Sequence, residues 1–205
     1  MASSSNSRSA RGWLVLCACL AIAAGLSRCQ PPQGALPELR SGVLLPRPRP
    51  LDPAGLVLDD GAPLADFLGR GWWTVVFTGY THCPDACPTT LAQLARARSL
   101  PGAGGVRVLF LSVDPGRDTP ERLGLYVRHF DPGFRAATGP AGRVAAFVAG
   151  LGAAFQQVGD GGNYRVDHST ALILVDPLGR LAGYLTPPFT PETLAADLGA
   201  VAAMP

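Results

Sequence analysis

The chain has 205 residues, 47% of them hydrophobic, enough to bury a core in one domain with some length to spare. Its 17 basic residues are all arginine. The lack of lysine excludes Schiff-base chemistry, a phosphate-loop lysine and a lysine general base. Met1 and Met204 are its only methionines, so a thioether-rich surface for soft metals is excluded too.

Residues 1–29 read as a signal, lipoprotein or membrane-anchor segment. Arg8 and Arg11 form a positive start without acids, and Trp13 to Leu26 is an unbroken run of apolar and small residues. That run is shorter than the ~20 residues of a spanning helix and closer to a signal-peptide core. Ala21-Ile22-Ala23 offers a small-residue cleavage site. Leu26-Ser27-Arg28-Cys29 resembles a bacterial lipoprotein signal with Cys29 as the lipidation candidate, although Arg28 stands where that signal wants a small residue. A Ser- and Arg-rich, acid-poor start also fits a mitochondrial address. The reading favoured is bacterial export, with the leader retained or replaced by a lipid anchor.

The leader holds three of the arginines and no acid, which leaves 14 arginines against 15 acids. No basic patch survives, and nucleic acid is not an expected partner. Cys17, Cys19 and Cys29 belong to the leader, so the remainder carries only Cys83 and Cys87.

Gln30 to Pro53 is proline-rich, with Pro46, Pro48 and Pro50 alternating with Arg47, Arg49 and Leu51. It is expected to be an extended tether without a core. Residues 54–205 form the expected domain. "WWTVVFTGY" (72–80), "VRVLFLSV" (106–113) and "TALILV" (170–175) read as strands buried on both faces. Asp176-Pro177-Leu178-Gly179 turns the last of these into "RLAGYL". Leu123, Tyr126, Val127 and Phe130 have helical spacing. So do Val144, Phe147, Val148, Leu151 and Phe155, and Leu194, Leu198 and Val201 mark a final helix. Thr119-Pro120-Glu121 and Thr190-Pro191-Glu192 are helix starts. Alternating strands and helices imply an α/β fold with a central mixed sheet flanked by helices.

The chemistry concentrates in "GYTHCPDACP" (79–88), where a strand ends and Pro88 is placed to open a helix. A thiol at such a junction lies near the positive helix end, which favours thiolate. Thiolate attacks disulfides and binds soft metals alike. The spacing also permits a disulfide. A purely structural bridge closing so short a loop would stabilise little, leaving a redox pair or a metal site. His82 adjoins Cys83, but its side chain is free to point away. His129 reads as a solvated cation at a helix C-terminus. His168, in "VDHSTALILV", precedes a predicted strand. Asp85, between the thiols, modulates local charge.

"FTGYTHCPDACP", "LSVDPGRDTP", "YRVDHS" and "LVDPLGRL" together resemble, in order, the signatures of the Sco/SenC family of membrane-anchored copper proteins. The resemblance covers roughly residues 43–204. It implies a thioredoxin-like fold with copper, as Cu(I) or Cu(II), held by Cys83, Cys87 and His168. Two thiolates and an imidazole are a soft set that suits this metal; zinc on the same three residues remains chemically open. Asp114 is either a turn residue or a partner that orients a ligand or the metal's water.

The function implied is an extracytoplasmic metallochaperone that helps assemble the binuclear copper centre of cytochrome c oxidase. The resemblance implies subunit II and other periplasmic copper carriers as its partners. The expected place is the outer face of a bacterial cytoplasmic membrane, with the mitochondrial inner membrane second. Two rival readings use the same thiols. One is a thiol–disulfide oxidoreductase that reduces the client cysteines. The other is a thiol peroxidase with Cys83 as nucleophile.

Overall fold

The computed structural model describes residues 36–161 and 164–204. In chain order it contains β1 (Gly42–Pro50), β2 (Val57–Leu58), β3 (Trp73–Gly79), α1 (Ala86–Arg98), β4 (Val106–Ser112), α2 (Pro120–Arg128) and β5 (Arg135–Thr138). There follow α3 (Ala141–Gly150), β6 (Phe155–Val158), β7 (Arg165–His168), β8 (Leu172–Val175), β9 (Arg180–Leu185) and α4 (Pro191–Ala202). The leader, with Cys29, lies outside the described residues.

Both β3 and β8 are buried along their whole length, which is why they read as continuous apolar runs rather than alternating ones. They lie at the centre of a seven-stranded sheet of order β1-β9-β8-β3-β4-β5-β2. β3 and β4 run parallel, paired from Trp73 with Val106 to Gly79 with Ser112. A parallel pair needs a crossover, and α1 provides it. β8 is antiparallel to β3 and turns into β9 through Asp176, whose carboxylate takes the N–H groups of Leu178 and Arg180. The fold is therefore α/β, a central mixed sheet flanked by helices.

The helix starts follow the expected chemistry. The Thr119 hydroxyl accepts from the N–H of Arg122 at 3.3 Å, and Pro120 opens α2. Thr190 and Thr193 form a reciprocal capping pair at the start of α4. The helix after the cysteine motif begins at Ala86, two residues before Pro88, which falls in its first turn.

Two expectations are corrected. Residues 42–50 are not a tether: they form β1, an edge strand antiparallel to β9. Proline is tolerated on a sheet edge, where a missing N–H need not break a ladder. The register shifts between Leu44 and Arg49, where Pro46 and Pro48 fall. Asp197, buried in α4, accepts from the N–H groups of Arg40 and Ser41 at 2.7 and 2.9 Å, fixing the approach to β1. The compact unit accordingly starts at Pro37, not at residue 54.

Phe155 is likewise not helical. After Leu151 the chain turns at Gly152 (φ +71). The N–H of Ala153 bonds to the Val148 carbonyl and that of Gly152 to the Ala149 carbonyl, which closes α3 as a Schellman motif. Phe155 then begins β6, which pairs with β7 in a separate two-stranded sheet.

Candidate metal centre

Three elements bring the site together. β3 delivers the chain to the loop after Gly79, the start of α1 holds Cys87, and β7 ends on His168. Cys83 lies in the intervening loop and is half-buried, whereas Cys87, in the first turn of α1, is fully buried. Both cysteines are free. The backbone N–H of Cys87, one of the donors a helix start leaves unpaired, points at Cys83 Sγ at 3.4 Å.

Across from them, His168 Nε2 lies 3.3 Å from Cys87 Sγ. The other ring nitrogen, Nδ1, is 2.9 Å from the carbonyl oxygen of Ser169. That carbonyl can only accept, so Nδ1 carries the proton and Nε2 is left with its lone pair toward the thiols. The rings of Phe77 and Tyr80 meet the imidazole edge-on, each with centroids 6.0 Å away. One ligand atom from each of Cys83, Cys87 and His168 lies within 4.8 Å of the others. Two sulfurs and one imidazole nitrogen, already converged, fit a soft metal ion.

The thiols differ from expectation in one respect. Burial pushes the Cys87 thiol well above its ordinary range, and the hydrogen bond with Cys83 pushes it the same way. Proximity to a helix start does not offset desolvation for a fully buried sulfur. A metal ion would have to displace that proton on binding. An open groove of about 420 Å³ runs along the site between Cys83, Pro84 and Asp85 on one side and Arg165, Asp167 and His168 on the other. Cys83 is the sulfur that faces it.

The remaining sequence candidates fall outside the triad. His82 is exposed, bonds Thr81 and sits with Asp114 and Asp118 instead. His129 is exposed at the end of α2, against Phe130. Asp85 is exposed and caps nothing with its side chain. Asp114 lies just past β4, beside the cysteine strand, bonded to the Tyr164 hydroxyl and Arg117.

Sequence reasoning missed Asp118. It is 1% exposed and accepts from the Thr81 N–H, the Thr81 hydroxyl and the Ser112 hydroxyl, so it ties the loop before Cys83 to the end of β4. The signal was present in "LSVDPGRDTP", where two further charged residues follow Asp114.

A family model described as SCO1/SenC matches residues 55–203. The Stutzerimonas stutzeri protein named "Putative copper-binding protein" is 34% identical over 173 residues, 82% of this chain and 85% of that one. The mitochondrial SCO2 homolog of Bos taurus is 39% identical over 127 residues, 58% of this chain, which spans about half of that protein's length. The structure of Bradyrhizobium japonicum ScoI with copper bound superposes with a TM-score of 0.64 at 34% identity, covering 74% of this chain and 98% of that one. It shares the thioredoxin-like fold found here. With the family model matching most of its length and the cysteine and histidine signatures converged in space, the chain belongs to the SCO1/SenC family.

Proposed function

We propose that the protein is a membrane-anchored, extracytoplasmic metallochaperone. It holds copper on Cys83, Cys87 and His168 and assists assembly of the binuclear copper centre in cytochrome c oxidase subunit II. The observation that carries the reading is the convergence of two free thiols and one lone-pair nitrogen within 4.8 Å, in a chain whose relative from B. japonicum has copper bound. Two thiolates suit Cu(I), and the imidazole extends the set to Cu(II). Cys83, open to the groove, is the donor an incoming thiol reaches first, which suits transfer by ligand exchange. The client and the anchor are supported by the family resemblance and the leader.

The test is complementation of a strain lacking the protein. His168→Ala should impair oxidase assembly while thiol exchange by Cys83 and Cys87 persists. Normal assembly in that variant, with exchange intact, would reverse the assignment in favour of the second reading, a thiol–disulfide oxidoreductase acting on the client cysteines. One observation favours that reading: the Cys87 N–H directed at Cys83 Sγ, a donor that stabilises an attacking thiolate.

A further inference from the structure

His168 is the candidate ligand carried by the separate two-stranded sheet, whereas Cys83 and Cys87 follow β3 in a loop and in α1. It closes β7, whose ladder partner is β6. The place of the imidazole therefore depends on how this hairpin is held to the rest of the domain. Beside His168 the hold is through Ser169, whose N–H bonds the Ala154 carbonyl and whose carbonyl accepts from Thr78.

At the other end, where the chain enters β7, three side chains outside the triad meet. The Tyr164 hydroxyl donates to Asp114 Oδ1 at 2.6 Å. Arg117 Nη1 donates to the Tyr164 carbonyl at 3.0 Å, and its guanidinium carbon lies 3.6 Å from the centre of the Tyr164 ring. Arg117 Nε in turn pairs with Asp114 Oδ2. Apolar packing is incomplete here: a cavity of about 210 Å³ lies between the loop at Val113–Gly116 and the hairpin residues Phe155, Gln157 and Val166. Charge-assisted bonds around a carboxylate only 4% exposed are the strong contacts at this end.

We infer that Asp114, Arg117 and Tyr164 form a latch on β7 and act as positioning residues that present His168 to the cysteine pair. Tyr164, immediately before β7, and His168, at its end, are about 13 Å apart at ~3.3 Å per residue of extended chain, so a shift at one end is carried to the other. Cys83 and Cys87 make no hydrogen bond to the latch, although Arg117 also lies 5.7 Å from the centre of the Tyr80 ring and Asp114 sits beside His82. Removing the Tyr164 hydroxyl leaves the Asp114–Arg117 pair in place, so it acts on the strand that carries the nitrogen donor rather than on the cysteine loop. The metal consequences rest on the copper reading; the geometry does not.

Tyr164→Phe, which removes one oxygen atom, is the test in the full-length protein, with Asp114→Asn as a second variant and thermal unfolding as the check that both fold. In the metal-free state, NMR contacts between the His168 ring and the rings of Phe77 and Tyr80 should weaken. With copper, Cu(II) affinity should fall about tenfold, the lower range for loss of a group that orients a ligand. Its thiolate charge-transfer band should shift, while Cu(I) affinity stays put. On a His168→Ala background Tyr164→Phe should change neither affinity. Unchanged ring contacts in both variants, a parallel fall in Cu(I) and Cu(II), or a Cu(II) loss that persists without His168 would overturn the latch. If the unsubstituted protein binds no copper, the copper reading fails, and the metal-free ring contacts still decide the latch.

Discussion

Gly79 ends β3 at the point where backbone, Phe110 and Cys87 crowd together. A methyl group there would lie 2.5 Å from Phe110 Cε2 and 2.8 Å from Cys87 Sγ. Gly79→Ala should therefore displace the buried sulfur and cost about 1–3 kcal/mol, the usual range for overpacking a core; urea denaturation measures it, and an unaltered midpoint would contradict the crowding. Cys87 itself makes stability depend on pH. Its thiol is raised by burial above the ordinary value of 9.0, so the native state holds the proton more tightly than the unfolded chain does. The contribution is complete below that value and is lost as pH climbs beyond it, at up to about 1.4 kcal/mol per pH unit. Tyr126, also pushed up by burial, adds a parallel loss. Reduced, metal-free protein should thus lose stability in mild alkali more steeply than Cys87→Ser does. Equal slopes in urea titrations would count against it.

Among the elements, the strands buried on both faces and the capped helices were legible because one signal dominated each. β3, β4 and β8 are rich in buried apolar residues, with Arg107 in β4 the one charged exception, and Thr119-Pro120 and Thr190-Pro191 leave little choice of helix start. β1 was not legible, because its prolines advertise a tether while an edge strand tolerates them. The β6–β7 hairpin was hidden for a different reason. Each strand is four residues long, and Phe155 falls in helical register with Leu151 until Gly152 breaks the helix. The candidate site was legible as three residues but not as a geometry: 81 positions separate Cys87 from His168, and no spacing rule joins them. Asp118 had only a weak signal, its place in "LSVDPGRDTP", because Ser112, six positions away, shows no pairing in sequence and Thr81 is 37 positions away. For β1, the clamp at Asp197 is the testable part. Asp197→Ala leaves the N–H groups of Arg40 and Ser41 without their acceptor and should cost about 1–3 kcal/mol. Limited proteolysis should then cut near residues 40–50, with Asp197→Asn intermediate; full resistance in the alanine variant would show that pairing with β9 suffices.

At the scale of the molecule, one face of the domain offers a thiol to a groove and the leader precedes it in the chain. Among the described residues no helix is long and apolar enough to cross a membrane, so the proposed anchor rests on the leader. A single acyl chain binds membranes only marginally, which makes the diacyl-type modification at Cys29 the version that holds. The protein should fractionate with membranes, and Cys29→Ala should release it if the anchor is lipid; an unsubstituted protein found wholly in the soluble fraction would end the anchoring proposal. The central claim is narrower: Cys83, Cys87 and His168 together hold copper. Anaerobic loading of the reduced protein, followed by X-ray absorption at the copper edge, tests it most directly. The account predicts one copper per domain with two sulfur neighbours, joined by an imidazole nitrogen that His168→Ala removes. Copper bound as tightly by a Cys83→Ser/Cys87→Ser double variant, with an unchanged absorption edge, would contradict it.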